Sequence, residues 1–453
     1  MILKKTRPLA LFHIEILKRE LMPKLYLAMY LAKNNGFQVV LGKVENYAQN
    51  HQGCGVYLNK DHGKWSEERL GLIQSNGYLV TAFDEEGLIY ASDELYNQSR
   101  GSKKLLNQLD AAFFWGENQL KTIEKGNSEK NLGNKHLTGS LKFELYKRMK
   151  LKTRPLKSEN NAKLKILVNT RFTYINILNG SLQDQVENLK KLGFIRPGEK
   201  EWFDDFYIAD KIIYSEFVKL LDLLGHDENF SVTIRPHPAE NPRAYDSFSE
   251  KYSNIVVDGD TELMEQIISH DCVIHDGCTT GIEATALGIN SLSLRPNNLK
   301  GAYPSLANEF SKKFSNANEL KMFLTKEGNK NISIDESIAK YFIHNWMDEA
   351  STLKKISDVM QNFSVDKVPI LQTLKEKKSK DKLKLLFFYT LRNRPYLMSF
   401  FPYRLKVKVE SFCNSMKKSQ HVFPAIDINI IEENMKYLCD IDNTLGNIED
   451  YKV

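Results

Sequence analysis

Short apolar runs alternate with amphipathic segments along the first 300 residues of this 453-residue chain. Runs of consecutive apolar residues predict buried strands, and apolar residues at every third or fourth position predict helices. In the first part of the chain, strands are predicted at 9–16, 37–41, 53–58, 78–83 and 113–114, with helices at 21–33 and 117–124. This alternation predicts an α/β layer with a mainly parallel sheet.

The same pattern starts again after two polar segments, 125–135 and 152–163. Beyond them we predict strands at 165–169, 230–235, 254–257, 271–275 and 291–295, and helices at 210–224, 261–269 and 280–287. The chain is therefore predicted to be α/β, with two Rossmann-like domains at 1–155 and 160–345 that face a central cleft. A helical tail is predicted at 346–453.

Composition excludes several protein classes. The chain is 42% hydrophobic and 26% charged, with a net charge of +6, which excludes disordered and collagen-like chains. The five cysteines show no zinc or disulfide spacing, so a reducing compartment is expected. There is no apolar run of 18 residues and no signal-peptide pattern, and we predict a cytoplasmic protein.

Charge is concentrated in one segment of the tail. Residues 375–408 contain eleven Lys and Arg against two acids, about +9, which leaves about −3 for the rest of the chain. Aromatic residues are interleaved with these basic residues, as in surfaces that contact anionic lipid headgroups. The alternative is a helix pair that packs on the domains with a solvated basic face. Nucleic-acid binding is disfavoured by the negative remainder.

Two loops in the second half suit a phosphate. The segment 272–284 predicts a strand, a small-residue turn and a helix, with Thr279 and Thr280 at its N-cap and first turn, where free N–H groups favour an anion. Gly277 would allow close backbone approach. In the second loop, Arg235 and a proline-flanked His237 suit a phosphomonoester or a diphosphate. The alternatives are a simple helix cap and a surface histidine.

Acidic residues mark the first half. Asp84, Glu85 and Glu86 follow a predicted strand, and their mutual repulsion is expected to raise one pKa, as a general base for a sugar hydroxyl requires. The alternative is an exposed acidic loop. Glu15, at the end of the first strand, and Lys18, which follows the strand, are further candidates on the acceptor side.

Other sites are disfavoured. The chain has neither the GxxxxGK[ST] motif of P-loop nucleotidases nor the GxGxxG motif of dinucleotide enzymes. The DxD pairs 258–260 and 440–442 are common in turns, and no metal or other cofactor is predicted.

Six segments together resemble bacterial surface-carbohydrate biosynthesis proteins. They are HIEILKREL (13–21), FDEEGL (83–88), FFWGENQ (113–119), TGSLKFEL (138–145), RPHPAENP (235–242) and IHDGCTTGIEATALG (274–288). The wider relatives are GT-B glycosyltransferases that use CMP-activated sugars, such as Kdo and sialic acid transferases. The resemblance implies a GT-B fold, with the acceptor on the N-terminal domain and a CMP-type donor on the C-terminal domain.

The resemblance also implies site residues. Glu85, or Asp84, would deprotonate the acceptor, and His237 would assist departure of the CMP phosphate. The implied donor-binding set is Arg235, Pro238, Glu240, His275, Gly277, Thr279, Thr280 and Glu283. In this set the two threonines would bind the phosphate, and Glu283 would hold the ribose.

The predicted function is metal-independent, inverting transfer of a sugar, such as Kdo or a sialic-acid-like sugar, from a CMP-activated donor. The expected partners are this donor and a glycan or lipid-linked glycan acceptor of capsule or lipopolysaccharide, with the tail on the inner membrane face. One alternative is a CDP-alditol phosphotransferase of teichoic-acid-like polymers, which the His-Pro and Ser/Thr pattern also resembles. The other is a non-catalytic scaffold for envelope-glycan assembly.

Overall fold

The chain forms two compact units, each around one six-stranded sheet. The computed structural model describes residues 8–88, 93–126, 134–152, 163–191, 200–301, 305–328, 330–346, 351–363 and 428–451. The first unit is drawn from Met1–Gly87, Ser92–Lys142 and Glu349–Val453, and the second from Leu88–Ala91 and Phe143–Asp348.

The sheet of the first unit is entirely parallel. Its strands are β1 (Leu9–His13), β2 (Gln38–Gly42), β3 (Gly55–Asn59), β4 (Tyr78–Phe83), β5 (Ala111–Phe114) and β6 (Lys135–Leu137). They pair in the order β2-β1-β3-β4-β5-β6. All residues of β1, β3 and β5 are buried, as expected for strands covered on both faces.

Helices connect these strands. They are α1 (Leu17–Asn35), α2 (Glu45–Asn50), α3 (Glu67–Ser75), α4 (Asp93–Arg100), α5 (Lys103–Gln108) and α6 (Glu117–Gly126). Helix α7 (Leu141–Lys152) follows β6, and all but its first two residues belong to the second unit. The strand order reverses at β1, because β2 lies on one side of β1 and the next strand along the chain, β3, lies on the other. Such a reversal opens a crevice at the carboxyl ends of the two strands.

The second sheet is also parallel. Its strands are β7 (Leu164–Asn169), β8 (Phe230–Arg235), β9 (Ile255–Val257), β10 (Cys272–His275), β11 (Asn290–Leu294) and β12 (Lys312–Phe314). Their order, β12-β11-β10-β7-β8-β9, is that of a Rossmann sheet, and the reversal lies between β7 and β10. The core on this sheet includes Ile166, Val232 and Ile274, all fully buried.

The helices of the second unit are α8 (Leu182–Lys191), α9 (Lys200–Gly225), α10 (Asp246–Lys251), α11 (Leu263–Ile268), α12 (Thr279–Leu287), α13 (Leu306–Glu309), α14 (Ala317–Glu327) and α15 (Glu336–Phe342). The prediction of an α/β chain with two Rossmann-like sheets is confirmed.

Two helices near the C-terminus belong to the first unit. The helices α16 (Thr352–Gln361) and α17 (Ile428–Ile441) both contact α1. The predicted helical character of the tail is thus confirmed where the tail is described, and the tail joins the first unit. Of the helices that the structure describes, none has the length and apolar character needed to span a bilayer.

Candidate functional site

The carboxyl ends of β7, β8 and β10 lie side by side at the centre of the second sheet. Ligands of open α/β sheets bind at this edge, where the strand order reverses. Arg171 follows β7, the loop with His237 follows β8, and the turn 276–278 follows β10. The two loops predicted to bind phosphate therefore follow β8 and β10, the two strands that flank β7 in one sheet.

Arg171 joins this edge through an ion pair that sequence analysis did not predict. Its Nε donates to the Asp276 carbonyl oxygen at 2.9 Å, and Nη2 lies 2.6 Å from Asp276 Oδ2. Burial opposes the charge, but Asp276 and Asp210 raise the pKa of Arg171. With 26% of its side chain exposed, Arg171 is a fixed cation at the edge of the sheet. The only sequence signal was a basic residue two positions after a predicted strand.

His275 holds the turn after β10. Its Nδ1 accepts the Gly277 N–H at 2.8 Å, and its Nε2 lies 2.8 Å from Ser311 Oγ and 3.0 Å from Ser291 Oγ. Burial, followed by the charges of Arg171 and Arg295, lowers its pKa to about 3, so the ring is neutral. Because His275 is fully buried, its ring supports the turn, and its role in donor binding stays a prediction.

The turn is tight and glycine is required in it. Gly277 has φ of 84°, and a Cβ there would lie 2.7 Å from Ser305 Cβ. A left-handed conformation and this close approach both disfavour any side chain. The turn brings the chain to α12 with its first amides at the edge of the sheet.

The start of α12 differs from the prediction in one respect. The N-cap is Cys278, not a threonine, and no side-chain oxygen caps the helix. Thr279, the first helical residue, is exposed, whereas Thr280 is buried. The Gly281 N–H donates to the Cys278 carbonyl oxygen at 3.1 Å, and the sulfur is a poor acceptor, so the amides of Thr279 and Thr280 keep their capacity to bind an anion.

His237 is the exposed group of the loop after β8. Its Nδ1 accepts the Ala239 N–H at 3.1 Å, so the neutral ring carries its proton on Nε2. Burial lowers the pKa of His237, with Arg171 acting in the same direction and Glu240 opposing. Near neutral pH the ring is therefore an uncharged N–H donor. The adjacent Pro238 is also exposed.

Glu240 holds this loop in place through hydrogen bonds to both of its carboxylate oxygens. Its Oε1 accepts from the His237 N–H at 3.2 Å and from Thr170 Oγ1 at 2.8 Å. Its Oε2 accepts from Tyr245 Oη at 2.7 Å and from Asn176 Nδ2 at 3.1 Å. Glu240 is 1% exposed, and with both oxygens satisfied it acts as a support for His237.

Two other predicted donor residues are held by protein groups. Arg235 Nη1 donates to the Thr261 carbonyl oxygen and the Gln266 side chain, at 2.6 Å and 2.5 Å. Glu283 is 4% exposed and accepts from Tyr146 Oη at 2.9 Å. Their roles in binding charge and ribose stay predictions.

The acidic segment of the first unit follows β4, and each acid has a different environment. Asp84 is fully buried and accepts from Arg100 Nη1 at 2.8 Å, Tyr96 Oη at 2.6 Å and the Glu86 N–H at 3.0 Å. Glu86 pairs with Arg19 at 2.8 Å and with Arg100. These cations outweigh burial and lower the pKa of Glu86. Asp84 and Glu86 therefore stabilise the loop through these hydrogen bonds and ion pairs.

Glu85 is the acid with the character of a base. Its side chain is 12% exposed and lies 3.1 Å from Lys24 Nζ. Its pKa is raised by burial first, and Glu20 adds to this against the effect of Lys24. The expected rise in one pKa thus occurs, but its causes are burial and Glu20 rather than the neighbouring Asp84 and Glu86.

The acceptor-side candidates lie at the end of β1. Glu15 pairs with Lys60, which follows β3, across the reversal of the first sheet. The side chain of Lys18 lies outside the described residues.

Two further predictions concern the tail and metals. The basic aromatic segment 375–408 lies outside the described residues, so its membrane contact stays a prediction. Asp258 caps a turn by accepting from the Asp260 and Thr261 amides, and Asp442 accepts from Tyr26. In the described ranges, no group of three or more His, Cys, Asp or Glu could hold a metal ion.

Comparison with known proteins gives low similarity. No protein-family model and no curated protein matches this sequence. UDP-GlcNAc 2-epimerase from Neisseria meningitidis, bound to UDP-GlcNAc, aligns over 78% of this chain and 99% of its own, with 13% identity and a TM-score of 0.45. The S. aureus MnaA–UDP co-structure covers 79% and 94%, with 11% identity and a TM-score of 0.42. The wall teichoic acid polymerase TagF covers 78% and 88%, with 10% identity and a TM-score of 0.39.

Proposed function

We propose that this chain is a GT-B glycosyltransferase that moves a sugar from a CMP-activated donor to an envelope-glycan acceptor. The observation that carries the proposal is the group of anion-binding elements at the reversal of the second sheet. The uncapped first turn of α12, the fixed cation Arg171 and the exposed N–H donor His237 follow three neighbouring strands. Together they suit the phosphate of a nucleotide.

The reaction follows from these groups. The acceptor hydroxyl attacks the anomeric carbon, and its proton passes to the candidate base, Glu85. The bond from the anomeric carbon to the phosphate oxygen breaks, and its electron pair leaves on CMP. Arg171, the α12 amides and the N–H of His237 stabilise the departing phosphate. Direct displacement of this kind inverts the anomeric centre, and the positive groups provide the stabilisation that a metal ion supplies elsewhere.

Titration calorimetry with CMP, CDP, UDP and GDP tests the proposal. We expect cytidine nucleotides to bind most tightly, and His237→Ala to weaken CMP binding about tenfold, as loss of one good hydrogen bond to a charged group predicts. His226→Ala is the matched control, because this histidine is in the same unit and its side chain is 63% exposed. It should leave the affinity unchanged.

Each other outcome has a definite meaning. Preference for UDP or GDP contradicts the CMP-sugar donor. Turnover of CDP-glycerol with release of CMP would identify an alditol phosphotransferase. Absence of binding to all four nucleotides contradicts an enzyme of this class and favours the scaffold.

A further inference from the structure

Lys24 is a buried lysine enclosed by three oxygen acceptors. Its side chain is 1% exposed. Its Nζ donates to the His13 carbonyl oxygen at 2.7 Å and to Glu20 Oε2 at 2.8 Å, and lies 3.1 Å from Glu85 Oε1. An ammonium without partners is too costly to bury, so this arrangement is specific.

The three acceptors come from three separate segments. His13 ends β1, Glu20 lies in the first turns of α1, and Glu85 follows β4. Glu20 is itself fixed, because it accepts the N–H groups of Glu15 and Ile16, both at 3.1 Å. Lys24 therefore ties the end of one strand and the start of a helix to the loop that carries the candidate base.

We propose that Lys24 is a positioning residue for Glu85, holding Oε1 so that Oε2 receives the proton of the acceptor hydroxyl. This inference rests on the proposed function, in which Glu85 is the base. In the part of the chain that the structure describes, no side chain or amide donates a hydrogen bond to Oε2. Oε2 is therefore the Glu85 oxygen that we assign to the acceptor hydroxyl.

The charge of the group favours proton uptake. Lys24, Glu20 and Glu85 form a charge triad that carries one net negative charge in a buried place, and a proton on Glu85 makes it neutral. Burial is the largest cause of the raised pKa of Glu85; Lys24 and Arg19 lower that pKa, and Glu20 raises it. The triad therefore sets the basicity of Glu85 through two opposing neighbours.

Other charged groups surround the triad and are largely paired. Arg19 lies 3.4 Å from Glu20 and 2.8 Å from Glu86, and Arg100 pairs with Asp84 and Glu86. Lys60 pairs with Glu15. His13 lies 3.6 Å from Glu45, and its pKa is lowered to about 4 by burial first and then by Lys24, so it is neutral above that pH. None of these pairs replaces Lys24 at Glu85.

Two substitutions should move the titration of Glu85 in opposite directions. Glu20→Gln can keep its oxygen toward the Glu15 amide and Lys24, but it loses the acceptor for the Ile16 amide together with the negative charge, so the pKa of Glu85 should fall. Lys24→Met removes the cation, so the pKa of Glu85 should rise. A purely structural role for Lys24 does not predict opposite shifts.

The measurement is a pH titration of the full chain labelled with 13C at glutamate carboxyls, followed by NMR. The Glu85 resonance is assigned by its loss in Glu85→Gln. Lys33→Met is the matched control, since Lys33 is on the same helix with 36% of its side chain exposed. It should leave the Glu85 titration unchanged.

Shifts in one common direction, or no shift in either variant, would overturn the proposal. Lys24→Met requires a folded chain, checked by circular dichroism. If that variant does not fold, Glu20→Gln alone decides, and a Glu85 pKa that fails to fall overturns the proposal. The titration uses no substrate, so opposite shifts without nucleotide binding would retain the triad while rejecting the proposed function.

Discussion

Asp210, on α9, is a buried acid whose charged form is unfavourable in its surroundings. It is 1% exposed, its Oδ2 has no hydrogen-bond partner in the described residues, and its Oδ1 is 3.7 Å from Arg171. Burial raises the pKa of Asp210 to about 6. Arg171 opposes this rise, and the charge of Asp276 contributes to it. The folded protein therefore keeps a proton that the unfolded chain releases near pH 4.

Asp210→Asn should stabilise the protein at neutral pH. The contribution of Asp210 to the unfolding free energy of the wild type falls as pH rises from about 4 to about 6, by about 1.4 kcal/mol per pH unit, and then stays level. Asparagine does not titrate, so the advantage of the variant should grow over this range and reach about 2–3 kcal/mol. Urea denaturation at several pH values measures it. Asp204→Asn, exposed on the same helix, is the control; an equal gain there would contradict the assignment.

Residues at strand ends could be predicted from the sequence, whereas their supports could not. His237, Thr279 and Glu85 follow apolar runs that sequence analysis predicted as strands. The role of Arg171 depends on its ion pair with Asp276, 105 positions away, and that of Lys24 on its contact with Glu85, 61 positions away. No local pattern encodes such pairing, so the ion pair and the charge triad became visible only in the fold.

Helix α12 is shaped by a contact with the strand beside it. A Cβ at Gly281 would lie 2.1 Å from His275 Nε2, so the ring leaves no space for a methyl group. The same ring holds the Gly277 amide. The helix, the ring and the turn therefore depend on one another.

Gly281→Ala should destabilise the protein by about 1–3 kcal/mol, because overpacking displaces the ring. It should also weaken nucleotide binding through the turn. Alanine normally stabilises a helix interior by about 1 kcal/mol over glycine. Gly71→Ala on α3 is the control, since its Cβ would meet only the end of the Gln108 side chain, at 3.0 Å. Thermal unfolding compares the two; a stabilised Gly281→Ala would contradict the packing argument.

Most strands were predictable because they are short runs of apolar residues, whereas many of the shorter helices were not predicted. Strands β4 and β8 match the predicted bounds, Tyr78–Phe83 and Phe230–Arg235. The strands β6 and β12, at sheet edges, were missed because each has three residues and lysines among them. Helix α9 begins at Lys200, ten positions before the prediction. Short edge strands depend on pairing with a neighbour, which the local sequence does not report.

At the scale of the molecule, the first unit is completed by residues near the C-terminus, which are far in sequence from its other elements. Ser357 Oγ donates to Asn35 at 2.6 Å, and Thr352 Oγ1 donates to the Thr138 carbonyl oxygen at 2.9 Å. Tyr26 donates to Asp442, and Lys33 pairs with Asp450. The helices α16 and α17 therefore cover α1, whose buried residues form part of the core.

Leu438→Ala should loosen the first unit. Leu438 is fully buried on α17, and truncation of such a residue costs about 2–5 kcal/mol. Hydrogen exchange should show lost protection first in peptides of α1 and α17. Ile430→Ala on the same helix is the control, because Ile430 is 50% exposed. Equal losses in both variants would contradict a packing role for α17.

The discontinuity of the first unit has a consequence for how the protein is made. During translation α1 emerges early, but Asp442, the residue that follows α17, emerges about 400 residues later, at least about 20 seconds at ordinary elongation rates. The whole of the second unit is synthesised in between. For that period the nascent chain presents an apolar helix face to solvent, and a chaperone bound near the ribosome exit would have a defined segment to shield.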